Sequence, residues 1–193
     1  MKMTQENYVV GGNTVMKQEE RVYTIDDIEK LPEGKRAELI DGKMYMLAAP
    51  TITHQRILLY LGAEFHNYIK KNEGECEPFI APVAVYLDES NNYVEPDLIV
   101  VCDKKKMDEK GCHGAPDMVV EIVSPSSKRM DYAVKLFKYR MYGVREYWIV
   151  DSEKKRVQVY DLMQEDVREY AFGECVPVGI YGGELKIDFL DFV

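Results

Sequence analysis

The sequence predicts an α/β (α+β) protein, a mixed β-sheet core flanked by helices, and three observations carry that prediction. Short β-branched runs alternate with turn chemistry, with Asp41-Gly42, Asn91-Asn92 and Asp151-Ser152-Glu153 each separating two apolar stretches. Two other segments repeat apolar residues at helical period: Leu58, Leu61, Gly62, Phe65 and Ile69, then Met130, Ala133, Val134, Phe137 and Met141. Finally, 193 residues with 46% hydrophobic and 31% charged side chains suffice for one buried core and exclude a disordered or fibrous chain.

Each element follows from local chemistry. Residues 1–20 are polar, contain Gly11-Gly12 and read as a frayed or strand-like extension to a single domain over 21–193. Thr24, followed by Asp26, Asp27 and Glu29, caps a short helix running to about Lys30. Glu38 to Ile40 and Lys43 to Leu47 form a hairpin through Asp41-Gly42. After Pro50, Thr51 or Thr53 caps the first long helix, which ends near Gly74. Val83, Val85 and Leu87 lie on one strand and Tyr93 to Val101 on the next, joined as a hairpin at the asparagines. Pro116 to Val123 is a strand stopped by Ser124-Pro125-Ser126; a helix over 127–142 follows and ends at Gly143. Glu146 to Val150 and Arg156 to Tyr160 make another hairpin, and the closing run Leu185 to Leu190 a last short strand.

Charge and composition narrow the function. The apolar run Phe79 to Leu87 contains Pro82 and falls far short of the ~20 residues a membrane helix needs. No apolar leader follows the first lysine, so a cytoplasmic location is expected. Cys76, Cys102, Cys112 and Cys175 agree with that expectation, since their spacing shows neither a zinc knuckle nor a C-x-x-C dithiol. The net charge of −9 argues against a strong nonspecific grip on nucleic acid. Most of it comes from Asp161 to Val193, where eight acids face Arg168 and Lys186. The segment Lys128 to Arg140 carries five basic residues against Asp131 alone, which predicts a local basic face.

No phosphate loop, dinucleotide turn, nucleophile elbow or zincin helix is present. What remains is carboxylates on apolar strands, which must be paired, protonated or bound to a cation. Asp97 opens the run to Val101, and Glu121 interrupts Met118 to Val123. Either alone is equally well read as a strand acid satisfied by Arg36 or a backbone amide. Together they form an oxygen-rich site for a hard cation, with Glu38 as a third ligand. Asp117 lies four strand residues from Glu121, about 13 Å away, too far to share one ion. On the following helix Asp131, Lys135, Lys138 and Tyr142 share a face opposite the apolar stripe. That face is either solvated or, beside a divalent ion, supplies a lysine that orients water and stabilises phosphate charge.

These residues carry a resemblance. The succession Glu38-Leu-Ile-Asp-Gly, Glu95-Pro-Asp97-Leu, Val120-Glu121-Ile-Val-Ser-Pro-Ser, Asp131-x-x-x-Lys135-x-x-x-Tyr139 and Gly143 through Asp151 resembles the Uma-two family, a restriction-endonuclease-like branch of the PD-(D/E)XK nuclease superfamily. The resemblance covers about Tyr23 to Asp161. It implies a restriction-endonuclease-like mixed-sheet core, with Glu38, Asp97, Glu121 and the backbone carbonyl of Ile122 as Mg²⁺ ligands, Mn²⁺ substituting. The superfamily lysine expected two residues after Glu121 is Val123 here, and Lys135 fits a migrated lysine. His54-Gln55 matches a family His-Gln, with helix capping as the alternative for His54, while Tyr139 and Trp148 read as packing residues.

The function so implied is Mg²⁺-dependent hydrolysis of DNA phosphodiester bonds, catalysed by Asp97, Glu121, Lys135 and Glu38 and leaving a 5′-phosphate by analogy. Lys138 is expected to attract phosphate. A homodimer is expected, with no membrane partner, and a separate protein would supply specificity. Two other readings remain open: a non-catalytic scaffold or regulatory dimer with a nuclease fold, and a carboxylate-pair glycosidase, for which no aromatic-rich cleft is visible.

Overall fold

The computed structural model describes residues 7–10, 13–16, 21–124 and 127–193. The strand stop proposed at Pro125-Ser126 lies outside these residues. Strands β1 (Asn7–Val10) and β2 (Asn13–Met16) pair as an antiparallel hairpin. Helix α1 (Ile25–Glu29) begins at Thr24 with a capping box to Asp27, which occupies donors that the first turn cannot satisfy itself. β3 (Ala37–Ile40) and β4 (Lys43–Met46) are joined by Asp41 and Gly42, at φ +50° and +73°. These are the two left-handed positions that a two-residue hairpin turn demands. A Cβ on Gly42 would also come within 2.4 Å of Val22 Cγ1, an exposed side chain that would have to shift. Helix α2 (Ile52–Lys71) starts at Thr51, whose hydroxyl accepts the His54 N–H at 3.2 Å.

The strands then divide between two mixed sheets. β5 (Glu77–Ile80), β8 (Leu98–Val101), β11 (Met118–Val123), β12 (Glu146–Asp151), β13 (Arg156–Asp161) and β14 (Asp166–Ala171) form one, in the order β14-β13-β12-β11-β8-β5. β6 (Val85–Tyr86), β7 (Tyr93–Val94), β9 (Met107–Asp108) and β10 (Gly111–His113) join the first hairpin in the other, ordered β4-β3-β7-β6-β10-β9. Among the described residues each sheet holds a single parallel pair, β11 with β12 and β6 with β10. β15 (Val176–Pro177) and β16 (Lys186–Ile187) make a small antiparallel pair. Among the described residues no helix is long and apolar enough to cross a membrane.

In the first of these sheets the central strands β8, β11 and β12 are buried on both faces, and residue parity decides which side each side chain takes. Leu98, Val100, Met118, Val120, Ile122, Trp148 and Val150 pack with Ile57, Leu58, Leu61, Phe65 and Ile69 of α2 and with the C-terminal Phe172, Val178 and Phe189. Ile99, Val101, Val119, Val123, Tyr147 and Ile149 face the other way, onto Ile40, Val85, Val94 and Tyr139. Glu121 and Asp97 share the odd parity of this second face. The second face therefore has charged residues built into it.

Four expectations need correction. The expected strand Tyr93 to Val101 is two strands, because Glu95-Pro96-Asp97 carries the chain from one sheet to the other. The closing run yields only β16. Cys76 and Cys102 form a disulfide: they continue the β5–β8 register, which spacing in sequence cannot reveal, and cysteine usage therefore no longer speaks for a reducing compartment.

The fourth correction concerns the helix after Glu121, which is turned over relative to the reading of its stripe. It comprises a π-helical turn, Met130–Lys135, running into α3 (Leu136–Tyr142), and ends at Gly143 in the left-handed conformation. Asp131, Lys135, Lys138 and Tyr139 are buried, while Phe137 and Met141 are 63% and 53% exposed. Periodicity identifies residues that share a face, but not which face is inside. Here the inward side is chosen by the acids on the sheet, and the Tyr139 ring with the partly buried Met130, Val134 and Leu136 supplies the apolar packing.

One loop anchors the end of this helix. Asp88 Oδ1 accepts the N–H groups of Ser90, Asn91 and Asn92, and Oδ2 accepts Tyr142 Oη at 2.6 Å. Burial alone would raise this carboxyl; the hydrogen bonds from Tyr142, Asn91, Ser90 and Asn92 outweigh burial and hold it well below the usual carboxylate range. Its stabilisation is thus present above the unfolded value, near pH 4, and is lost as pH falls. Asp88→Asn is expected to cost about 1–3 kcal/mol at pH 7. The difference from wild type should shrink below pH 4 in urea melts, and a difference independent of pH would contradict the ionised assignment.

Candidate functional site

The crossover Glu95-Pro96-Asp97 places an acid from each sheet at their junction. Extending the β8–β11 register beyond Val120↔Leu98 sets Asp97 opposite Glu121, and the Ile122 N–H donates to Asp97 Oδ2 at 2.7 Å. Glu38, on β3 beside β7, turns toward the same point and accepts the Glu95 N–H at 3.0 Å. The π-turn brings in the cation: Lys135 Nζ lies 2.7 Å from Glu38 Oε1, 2.9 Å from Glu121 Oε1 and 3.5 Å from Asp131 Oδ1. Tyr139 Oη donates to the same Glu121 oxygen at 2.8 Å. On the far side of Asp97, His54 Nε2 sits 3.0 Å from Oδ1, while its buried Nδ1 has no partner among the described residues.

Burial dominates the electrostatics. It raises the Glu38 and Asp131 carboxyls, with Lys135 pulling against it in both cases. Glu121 goes well above its ordinary value through burial, opposed by Lys135 and reinforced by the charges of Asp131, Asp97 and Glu38. For Lys135, burial works against the charged form, but Glu121, Glu38 and Asp131 outweigh it and hold the ammonium well above its usual range. Among the described residues Lys135 thus faces three carboxyls within 3.5 Å, Glu38, Glu121 and Asp131, all raised by burial, with Asp97 opposite Glu121.

The remaining acids and bases are accounted for elsewhere. Asp117 accepts the Cys102 N–H and pairs with Arg145, and Arg36 pairs with Glu95 rather than with either strand acid. Lys138, expected to attract phosphate, is buried against Asp41 of the β3–β4 turn. The expected basic face is largely consumed in the same way, Lys128 on Asp151 and Glu153 and Arg140 on Glu165.

The donor set suits a hard divalent cation, being oxygen-rich and over-charged. Glu38 and Glu121 each commit Oε1 to Lys135, and the same oxygen accepts the Glu95 N–H in Glu38 and the Tyr139 hydroxyl in Glu121. Among the described residues no three His, Cys, Asp or Glu side chains stand as a group that could hold a metal ion, and the Lys135 ammonium contacts both Glu38 and Glu121.

Comparison with known proteins bears on this junction. The profile of the Uma2 family, described as "Putative restriction endonuclease", matches residues 25–178, which hold every residue of the site. The chain belongs to the Uma2 family. Its similarity to two uncharacterized proteins of Synechocystis sp. is lower than the profile match is broad. It is 26% identical to slr1290, over 66% of this chain and 67% of that protein, and 23% identical to sll1609, over 65% and 72%. The fold matches a crystal structure described as "a putative nuclease belonging to DUF820" from Anabaena variabilis, with a TM-score of 0.72 over 88% of this chain and 96% of that one, at 22% identity.

Within this Uma2 chain the structure brings together Glu38, Asp97, Glu121, Lys135 and His54, and sets Lys138 apart. Two participants went unassigned in the sequence. The sequence reads Asp131 only as a helical partner of Lys135, and Tyr139 as a packing residue. The four-residue spacing Asp131-x-x-x-Lys135-x-x-x-Tyr139, already among the motifs of the resemblance, puts all three on one side of a helix.

Proposed function

We propose that this Uma2 protein is a Mg²⁺-dependent endonuclease hydrolysing DNA phosphodiester bonds, with Mn²⁺ able to substitute. The observation that carries this reading is the junction of four acids around one buried lysine. Glu38, Asp97, Glu121 and the Ile122 carbonyl would hold the ion, which when bound would supply Lewis-acid stabilisation to phosphate oxygens. The chain's own groups do the rest. His54 and the Ile122 N–H hold Asp97 from both of its oxygens, and the Lys135 ammonium offers a fixed positive charge to the phosphate in the transition state.

Supercoiled plasmid incubated with Mg²⁺ or Mn²⁺ at low salt is expected to be nicked or linearised, and chelation should abolish the reaction. Absence of cleavage on duplex, single-stranded and supercoiled DNA would overturn the reading. The scaffold alternative is favoured by one observation, the consumption of Lys128, Lys138 and Arg140 in internal ion pairs. We also propose a homodimer, in which a second copy covers the exposed Phe137 and Met141. Sedimentation at micromolar concentration should then give twice the 22.4 kDa chain mass, and a monomer would exclude it.

A further inference from the structure

Two buried tyrosine hydroxyls end on this site without bearing charge. Tyr139, on α3, donates to Glu121 Oε1, the oxygen that Lys135 also contacts. Its ring meets the edge of Tyr147 at 4.9 Å between centroids and 64° between planes. Tyr147, on β12, donates in turn to the backbone carbonyl of Asp131 at 3.2 Å, inside the π-turn. Both rings are fully buried. A third ring, Tyr160, stacks on Tyr147 at 6.0 Å, but its hydroxyl goes to Gln158, away from the acids.

We propose that Tyr139 and Tyr147 are positioning residues that fix, respectively, the rotation of the Glu121 carboxylate and the π-turn carrying Asp131 and Lys135. The terminal torsion of a glutamate is broad and leaves its two oxygens free to exchange places. Two donors on Oε1 remove that freedom and keep Oε2 as the oxygen offered to a ligand. A π-turn is a local departure from the α-helical ladder, common at functional sites and needing support from outside the helix. The Tyr147 hydroxyl gives that support from the sheet, and ring contact with Tyr139 couples the two anchors. The catalytic consequence rests on the nuclease reading, whereas the anchoring itself does not.

Tyr139→Phe, Tyr147→Phe and Tyr160→Phe keep each ring and remove one oxygen. Three measurements compare them with the parent protein: the Mn²⁺ concentration that half-saturates thermal stabilisation, kcat and KM on supercoiled DNA, and metal-free hydrogen exchange of residues 130–136. Tyr139→Phe is expected to raise the Mn²⁺ midpoint and lower kcat, each by about 10- to 100-fold, with KM within about twofold. Tyr147→Phe should speed exchange across 130–136 and shift the midpoint in the same direction, while Tyr160→Phe changes none of the three. If Tyr139→Phe and Tyr147→Phe match Tyr160→Phe throughout, the two tyrosines are packing residues and the proposal is overturned. If the parent neither cleaves DNA nor gains stability from Mn²⁺ while exchange is still faster in Tyr147→Phe, the anchoring stands and the nuclease reading falls.

Discussion

Lys135→Met is expected to remove both turnover and a large part of the metal-free stability. The ammonium is buried and lies within 3.5 Å of Glu38, Glu121 and Asp131, so its loss leaves three acids without a counter-charge. Breaking a buried ion pair from one side costs about 3–5 kcal/mol, which for a chain of this size lowers the melting temperature by about 6–20 °C. Cleavage should fall roughly 10²- to 10³-fold, because a fixed donor aimed at developing charge is gone. Mn²⁺ should restore more stability to Lys135→Met than it adds to the parent, since the ion takes over the missing positive charge. Melting curves with and without Mn²⁺ check this directly; an unchanged metal-free melting temperature would show that Lys135 does not balance the acids.

Glu121→Gln should separate stability from activity in the opposite sense. The amide keeps the shape and removes a charge that burial, Asp131, Asp97 and Glu38 all disfavour, while Lys135 retains Glu38 and Asp131. Metal-free stability at neutral pH is therefore expected to hold or rise, although cleavage drops by at least about 10²-fold and stabilisation by Mn²⁺ disappears. The pH dependence has a definite sign. A carboxyl raised above its unfolded value favours the folded state at low pH, and that contribution is lost as pH climbs above about 4.5. Urea melts in chelator at pH 5 and pH 8 should show a decline in the parent that Glu121→Gln makes shallower. An equal decline in both proteins would mean that Glu121 is not the group responsible.

How much of this was legible beforehand differs from element to element. The Asp41-Gly42 hairpin, the Thr51 cap, the α2 stripe and the Gly143 stop were readable because each is decided within a few residues by backbone sterics or a single hydrogen bond. The break at Glu95-Pro96-Asp97 was not, since Tyr93 to Val101 has the local chemistry of one strand and only packing divides it between two sheets. β14 was missed for a related reason. Its side chains are mostly exposed and half of them charged, and its strand conformation comes from pairing with β13 rather than from its own pattern.

The sequence by itself determined which residue types are available for chemistry here: acids set into apolar strands, where an unpaired carboxylate is too costly to leave uncompensated, and a lysine in a helix close behind them. It also determined the turns and caps that make that spacing usable. Tertiary structure alone decided that the helix presents its polar side inward, that Lys135 rather than solvent meets Glu38 and Glu121, and that Lys138 is bound to Asp41. The physical reason is that local propensity depends on near neighbours in sequence, whereas the sign and burial of charge depend on distant segments meeting at one point, as Glu38 and Glu121 do at Lys135.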